Sequence, residues 1–158
     1  MNNNVDILTL RSAALQDRPF LATLYRSTRD DLLQLGLPEA MAANLMQMQF
    51  ESQQTGYRTQ FPNADHDIVE KNGEPVGCLI THRGDGAIRL VYIAFLPHER
   101  NKGHGRRLIR ALQNEAAGSN KILTLSVDPL NMRAKHLYLS AGFQVNGDDG
   151  MEMVWSDS

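Results

Sequence analysis

The apolar positions of this chain follow two periodicities, and their order along the sequence outlines a fold. "VDILTLR" (5–11) alternates apolar and polar residues and predicts a strand. Phe20, Leu21, Leu24 and Tyr25 recur at helical spacing, and Asp17 ahead of Arg18 and Pro19 predicts an N-cap and first turn. Gly36 and Pro38 break that pattern. Leu37, Met41, Leu45 and Met48 then predict a second helix from about Glu39. Its polar close, "ESQQTGYRTQFPNAD", reads as a loop.

Three β-like runs follow. Asn72-Gly73 between the first two is a hairpin signal, because both residues accept positive φ, and "RGDG" marks a second turn. The third run, "AIRLVYIAFL", is nearly all apolar and predicts a central strand buried on both faces. "RRLIRALQNEAA" predicts a helix with Leu108, Ile109 and Leu112 on one side, and "KILTLSV" (121–127) a strand. "NMRAKHLYLSAGF" predicts a helix from about Met132 to a C-cap at Gly142, and "FQVNGDDGMEMVWS" a last hairpin. The order is strand, two helices, three strands, helix, strand, helix, two strands. That predicts an α/β fold, a mixed and mostly antiparallel sheet with helices on both faces, in one domain spanning 1–158.

Composition narrows the function. With 158 residues, 42% hydrophobic and 22% charged, the chain is of ordinary globular make-up. A net charge of −2 offers no broad basic surface for nucleic acid. One cysteine, Cys78, excludes an internal disulfide framework and suits a reducing compartment; mid-strand, it reads as core rather than nucleophile. "MNNNVDILTL" has no basic region ahead of a long apolar run, so no signal peptide is read, and no segment reaches the ~20 apolar residues of a membrane span. The expectation is a soluble cytoplasmic protein. His66, His82, His98, His104 and His136 show no metal-ligand spacing, so no metal is predicted, and His104, between two glycines, reads as exposed. Met41, Met46, Met48, Met151 and Met153 read as core filler.

The candidate chemistry concentrates in "LPHERNKGHGRRLI" (96–109), where Arg100, Lys102, Arg106 and Arg107 face one acid, Glu99. The segment joins a buried strand to a helix. A helix start carries unpaired N–H groups and partial positive charge, glycines admit close backbone approach, and Arg and Lys add charge-assisted bonds. Together these predict a phosphate or pyrophosphate guest. The nucleotide-triphosphate loop, Gly-x4-Gly-Lys-Ser/Thr, is absent. A dinucleotide fingerprint fits in part: Gly103 and Gly105 match and Asp128 stands where a ribose-binding acid would. But Leu108 holds the third glycine position and "PHERNK" separates the strand from Gly103, which disfavours a dinucleotide oxidoreductase.

"RNKGHG" matches the Arg/Gln-x-x-Gly-x-Gly/Ala signature, and "LPHER" before it and "NMRAKHLYLSAGF" after it match two further marks in the right order. In these marks the chain resembles the GCN5-related N-acetyltransferases. The resemblance implies an acetyl-CoA site with the pyrophosphate on the backbone amides of Arg100, Asn101, Lys102, Gly103, His104, Gly105 and Arg106. It implies a strand ending Ile93-Ala94-Phe95 that splays from the strand ending Val127, with the pantetheine arm in the gap. It implies Asn131 at that arm and Tyr138 near the sulfur. Family members often dimerise, so a homodimer stays open.

Asn131 and Tyr138 are seven residues apart, two helical turns, and share a face. Alone, Asn131 reads as an N-cap and Tyr138 as core; beside a CoA site they read as binder and general acid. The chemistry implied is acetyl transfer from CoA to a primary amine by direct attack in a ternary complex. Backbone N–H groups near Phe95 would meet the oxyanion, and Tyr138 would protonate the leaving thiolate. No base is identifiable. Tyr25, Arg29, Met46, Gln49 and Phe50 mix apolar and polar groups on the first two helices and are the candidate acceptor pocket, against a reading as ordinary packing. Antibiotic, polyamine, small metabolite and peptide N-terminus all remain open as acceptors, and so do other acyl-CoA donors. The competing reading is a CoA-binding sensor without transfer activity.

Overall fold

The computed structural model describes residues 6–157. Residues 1–5 carry Val5 of the first predicted strand and the start of the segment weighed as a leader, and lie outside the described residues. The elements run β1 (Leu8–Ser12), α1 (Arg18–Arg26), α2 (Asp30–Leu33), α3 (Glu39–Gln60), β2 (Asp65–Lys71), β3 (Glu74–Arg83) and β4 (Ala87–Phe95). Then come α4 (His104–Gly118), β5 (Ile122–Ser126), α5 (Met132–Ser140), β6 (Gln144–Val145) and β7 (Glu152–Trp155). Short 3-10 turns occupy Leu15–Asp17 and Pro97–Glu99. The strands hydrogen-bond in the order β1-β2-β3-β4-β5-β7-β6. The sheet is mostly antiparallel, with β4 and β5 parallel. Backbone contacts divide the chain into two compact units: one up to Leu79 with Ala94–Arg100, the other Ile80–Ile93 with everything from Asn101 onward.

In the first unit α1 and α2 pack against α3. Leu24, Tyr25, Leu32, Ala42, Met46, Phe50, Ile68 and Val69 are buried there. Helix α3 corrects the loop expected at 51–60, since it continues to Gln60. Its buried stripe is Ala42, Met46, Phe50 and Gln54, spaced by four, and that stripe carries the helix through a segment that is polar on its other faces. The same stripe corrects the predicted apolar face: Met41 and Met48 are 56% and 69% exposed, not core. Asp17 precedes α1 but does not cap it with its side chain. Its carboxylate accepts from Arg11 at 2.8 and 2.9 Å and from the Ala14 N–H at 2.8 Å. The Arg11 guanidinium first, then that N–H, holds Asp17 down at about 2. The β2–β3 turn is the expected hairpin, with Asn72 at φ 52 and Gly73 at φ 86.

In the second unit α4 is the crossover that parallel strands require, and it packs against β5 through Leu108, Ile109, Leu112 and Ala116. β7 pairs antiparallel with β5, and β6 with β7. Leu123, Leu125 and Met153 are essentially inaccessible. Met151 is partly exposed rather than core. β4 differs from its expectation as well: Ile88 and Leu90 are buried, but Val91 to Phe95 are only half-buried. The cause is where its pairing with β5 stops.

Candidate active site

β4 and β5 pair from Ala87–Ile122 to Leu90–Leu125 and no further. Beyond that point the strands part. Val91, Tyr92 and Ile93 on one side and Ser126, Val127 and Asp128 on the other line a cleft of about 180 Å³. Asn131, Ala134 and Tyr138 of α5 form its third wall. Strand backbone that leaves its ladder needs another partner, so such a gap is a place for an extended ligand.

The α5 residues take their positions from the helix. Asn131 is the N-cap, its Oδ1 accepting from Ala134 N–H at 3.2 Å. Two turns on, Tyr138 is 7% exposed, with its ring tilted against Phe143 at 5.7 Å. Its hydroxyl has no hydrogen-bond partner among the described residues. Burial raises its pKa above the ordinary value of 10.0. The phenol therefore stays protonated through neutral pH.

The glycine segment opens α4. Gly103 is its N-cap at φ 85, a left-handed conformation that suits glycine, and Asn101 before it stands at φ 63. The first i→i−4 bond of the helix is Arg107 N–H to Gly103 O at 3.1 Å, so the first turn, 103–106, presents its amides at the positive end of the helix dipole. Arg106 reaches Ser140 of α5 at 3.0 Å. His104 is 3% exposed, which corrects the exposed reading: the helix begins at His104 itself, so its ring shares the buried face with Leu108, four residues on. Arg100 lies in the first unit and is engaged there. Its amide donates to Pro97 O, its Nε to Phe95 O at 2.9 Å, and its Nη2 to Ser27 O and Oγ at 3.3 and 3.1 Å.

A model of the acetyltransferase (GNAT) family matches residues 29–143, more than half of the chain. The chain belongs to the GNAT family. It is therefore an acetyltransferase, an acyl-transferring enzyme. Among solved structures it is similar in fold to the PaiA N-acetyltransferase of Thermoplasma acidophilum in complex with coenzyme A. That pair is 14% identical with a TM-score of 0.67, over 94% of this chain and 96% of the other. It is likewise similar to a ribosomal-protein alanine N-acetyltransferase from Escherichia coli, at 21% identity and TM-score 0.63, covering 94% and 91%. A chimeric spermidine N-acetyltransferase from Vibrio cholerae gives 22% and 0.63, covering 93% of each. No curated protein matches the chain in sequence.

The acetyltransferase also brings together the five residues read as an acceptor pocket, within its first unit. Tyr25 and Phe50 rings meet at 5.8 Å, and Met46 is buried beside Phe50 on the α3 stripe. Arg29 donates to the Tyr25 hydroxyl at 2.6 Å and to Gln49 Oε1, and pairs with Asp31 at 3.0 Å. The open groove on α3, about 1000 Å³, uses another face, around Gln47, Met48 and Thr55, and none of the five lines it. Cys78 is buried, and burial pushes its thiol up to about 12 against a smaller opposing hydrogen bond from Ala94.

Sequence reasoning did not single out Gly77 or the Lys71–Glu99 pair. A Cβ at Gly77 would lie 2.4 Å from Ala94 O and 2.7 Å from the Phe95 ring, so only glycine lets the end of β4 sit there. Glu99 is 5% exposed and holds Lys71 Nζ at 2.8 Å, which raises the Lys71 pKa. Both are long-range contacts with no local signature. Among the described residues no group of three or more His, Cys, Asp or Glu could hold a metal ion, and no helix is long and apolar enough to cross a membrane.

Proposed function

We propose that this acetyltransferase moves the acetyl group of acetyl-CoA to a primary amine by direct attack in a ternary complex, with Tyr138 as the general acid. The carrying observation is the buried Tyr138 side chain, its hydroxyl without a hydrogen bond among the described residues, on the wall of the cleft where β4 and β5 part. The pantetheine arm lies in that cleft against Val91, Ile93 and Asn131, and the pyrophosphate lies on the first turn of α4. Arg100 acts by holding Phe95 rather than by touching phosphate. Residues 1–158 act as one catalytic domain; β3 and β4 each thread both units.

In the reaction the amine nitrogen bonds to the acetyl carbon as the carbon–sulfur bond breaks. The nitrogen's proton leaves to water, and Tyr138 Oη–H supplies the proton that the sulfur takes. A phenol raised above 10 giving a proton to a thiolate of pKa ~8.5 is uphill, so its contribution falls at the lower end of the usual ~10²–10⁴-fold for general acids. Coenzyme A in one structural neighbour supports the donor, and alanine and spermidine in the names of two others support an amine acceptor.

The test is thiol release from acetyl-CoA with a panel of primary amines, on wild type and Tyr138→Phe. The expected outcome is amine-dependent release in wild type and a kcat lower by ~10²-fold in the variant, at unchanged acetyl-CoA affinity. Because burial raises the phenol, activity that depends on it is kept as pH rises and is lost only above about 10. Full kcat in Tyr138→Phe removes the acid role. Acetyl-CoA binding with no release for any amine leaves the sensor reading.

A further inference from the structure

Among the described residues that line the β4–β5 cleft, Asp128 is the one charged side chain; the others are apolar, hydroxyl or carboxamide groups. Its Oδ1 accepts from Leu130 N–H at 2.9 Å and its carbonyl from Asn131 N–H at 2.8 Å, which fixes the carboxylate at the lip of the cleft. Oδ2 has no protein partner among the described residues. The neighbouring chain adds the same sign. Val127 N–H donates to Met151 O at 2.8 Å, which brings the loop carrying Asp148 and Asp149 alongside; Asp149 Oδ1 accepts from Met151 N–H. Glu152 is neutralised by Arg89 at 3.0 and 2.8 Å, and Arg133 and Lys135 on α5 do not line the cleft. The same cleft is lined by Tyr138, a side chain more than nine-tenths buried whose hydroxyl makes no hydrogen bond among the described residues, which independently marks it as a ligand site.

We propose that Asp128 sets the charge of the acceptor. The enzyme takes amines that carry a second positive charge and turns away amines that carry a carboxylate near the reacting nitrogen. This rests on the acetyl-transfer reading above. A fixed carboxylate beside the reacting centre attracts an approaching cation and repels an anion, and charge placed this way discriminates partners more than it adds affinity. The attacking nitrogen arrives as an ammonium and is held at the lip while it loses its proton to water; a second ammonium strengthens that hold.

The test compares three four-carbon primary amines, putrescine, n-butylamine and γ-aminobutyrate, by thiol release at saturating acetyl-CoA. Wild type should prefer putrescine to γ-aminobutyrate by roughly tenfold or more in kcat/KM, with n-butylamine between. Asp128→Asn keeps the oxygen that accepts from Leu130 N–H and removes only the charge. It should reduce that preference to about twofold or less while the calorimetric Kd for acetyl-CoA stays within about twofold, and Asp128→Glu should restore the preference. A preference unmoved by Asp128→Asn, or a wild type that favours γ-aminobutyrate, overturns the proposal and leaves acetyl transfer standing. A wild type that binds no acetyl-CoA overturns both.

Discussion

Tyr25 and Tyr138 are equally buried, each 7% exposed, and each has an aromatic neighbour within 6 Å, Phe50 at 5.8 Å and Phe143 at 5.7 Å. They differ at the hydroxyl. Tyr25 receives Arg29 at 2.6 Å, and Arg29 is bound in turn to Gln49 and Asp31. The Tyr138 hydroxyl makes no hydrogen bond among the described residues, and Tyr138 lines the cleft. A polar tip that opens on a cleft, on a ring that is otherwise buried, is placed to meet a ligand. In the first unit the buried polar groups are settled: Asp17 with Arg11 and Ala14, Glu99 with Lys71, Arg100 with Phe95 and Ser27. Around the cleft Asn131 accepts from Ala134 N–H and Asp128 from Leu130 N–H, and in our proposal the Tyr138 hydroxyl waits for a ligand. The hydroxyl partners distinguish the two regions where residue type does not, since both offer a tyrosine, an amide side chain and charged groups.

Three substitutions break or sharpen this contrast. The largest effect is expected at Phe50, 2% exposed on the α3 stripe. Phe50→Ala should cost ~3–5 kcal/mol of stability in a denaturant titration, with the folded fraction binding acetyl-CoA as wild type does. A stable Phe50→Ala enzyme with a raised acceptor KM would instead return Phe50 to the acceptor pocket. Next, Gly105→Val places a branched side chain in the first turn of α4 and should weaken acetyl-CoA by ~100-fold, the loss of one or two charge-assisted bonds. Unchanged affinity in that folded variant removes the phosphate assignment. The smallest effect is expected at Cys78, whose thiol is pushed up to about 12. Cys78→Ala should leave turnover unaltered at a stability cost of ~1 kcal/mol, and native Cys78 should resist alkylation until the protein unfolds. Loss of turnover there would give the thiol a role that its burial argues against.

What the sequence disclosed follows from how local each feature is. The Asn72-Gly73 turn and the α4 stripe of Leu108, Ile109 and Leu112 are written in neighbouring residues, and they formed as expected, though α4 begins at His104, two residues ahead of the predicted Arg106. The family marks lie in the same local stretches, so the fold was legible from them. The continuation of α3 past Phe50 was not, because one buried side chain per turn, Gln54 among them, sustains a helix whose other faces are polar. Asp17 carried the letter of an N-cap, but Arg11 competes for its carboxylate across a turn. Gly77 had no turn around it to announce it; only the approach of Ala94 and Phe95 gives it meaning. Spacing put Asn131 and Tyr138 on one face of a helix, and both line the cleft; their roles there came from the family marks. Asp128 on the cleft wall depends on where the β4–β5 ladder stops, which no local pattern encodes.

The central claim is that ligand-ready polar groups lie in the cleft and at the start of α4, and that α1 to α3 are framework toward the donor. Amide hydrogen exchange with and without acetyl-CoA reads both regions at once. Acetyl-CoA should slow exchange at 101–107, at 91–93 and at 126–134, and leave α3 between Glu39 and Gln60 unchanged. Protection concentrated in α3, or no protection at 101–107 under saturating acetyl-CoA, would contradict the account.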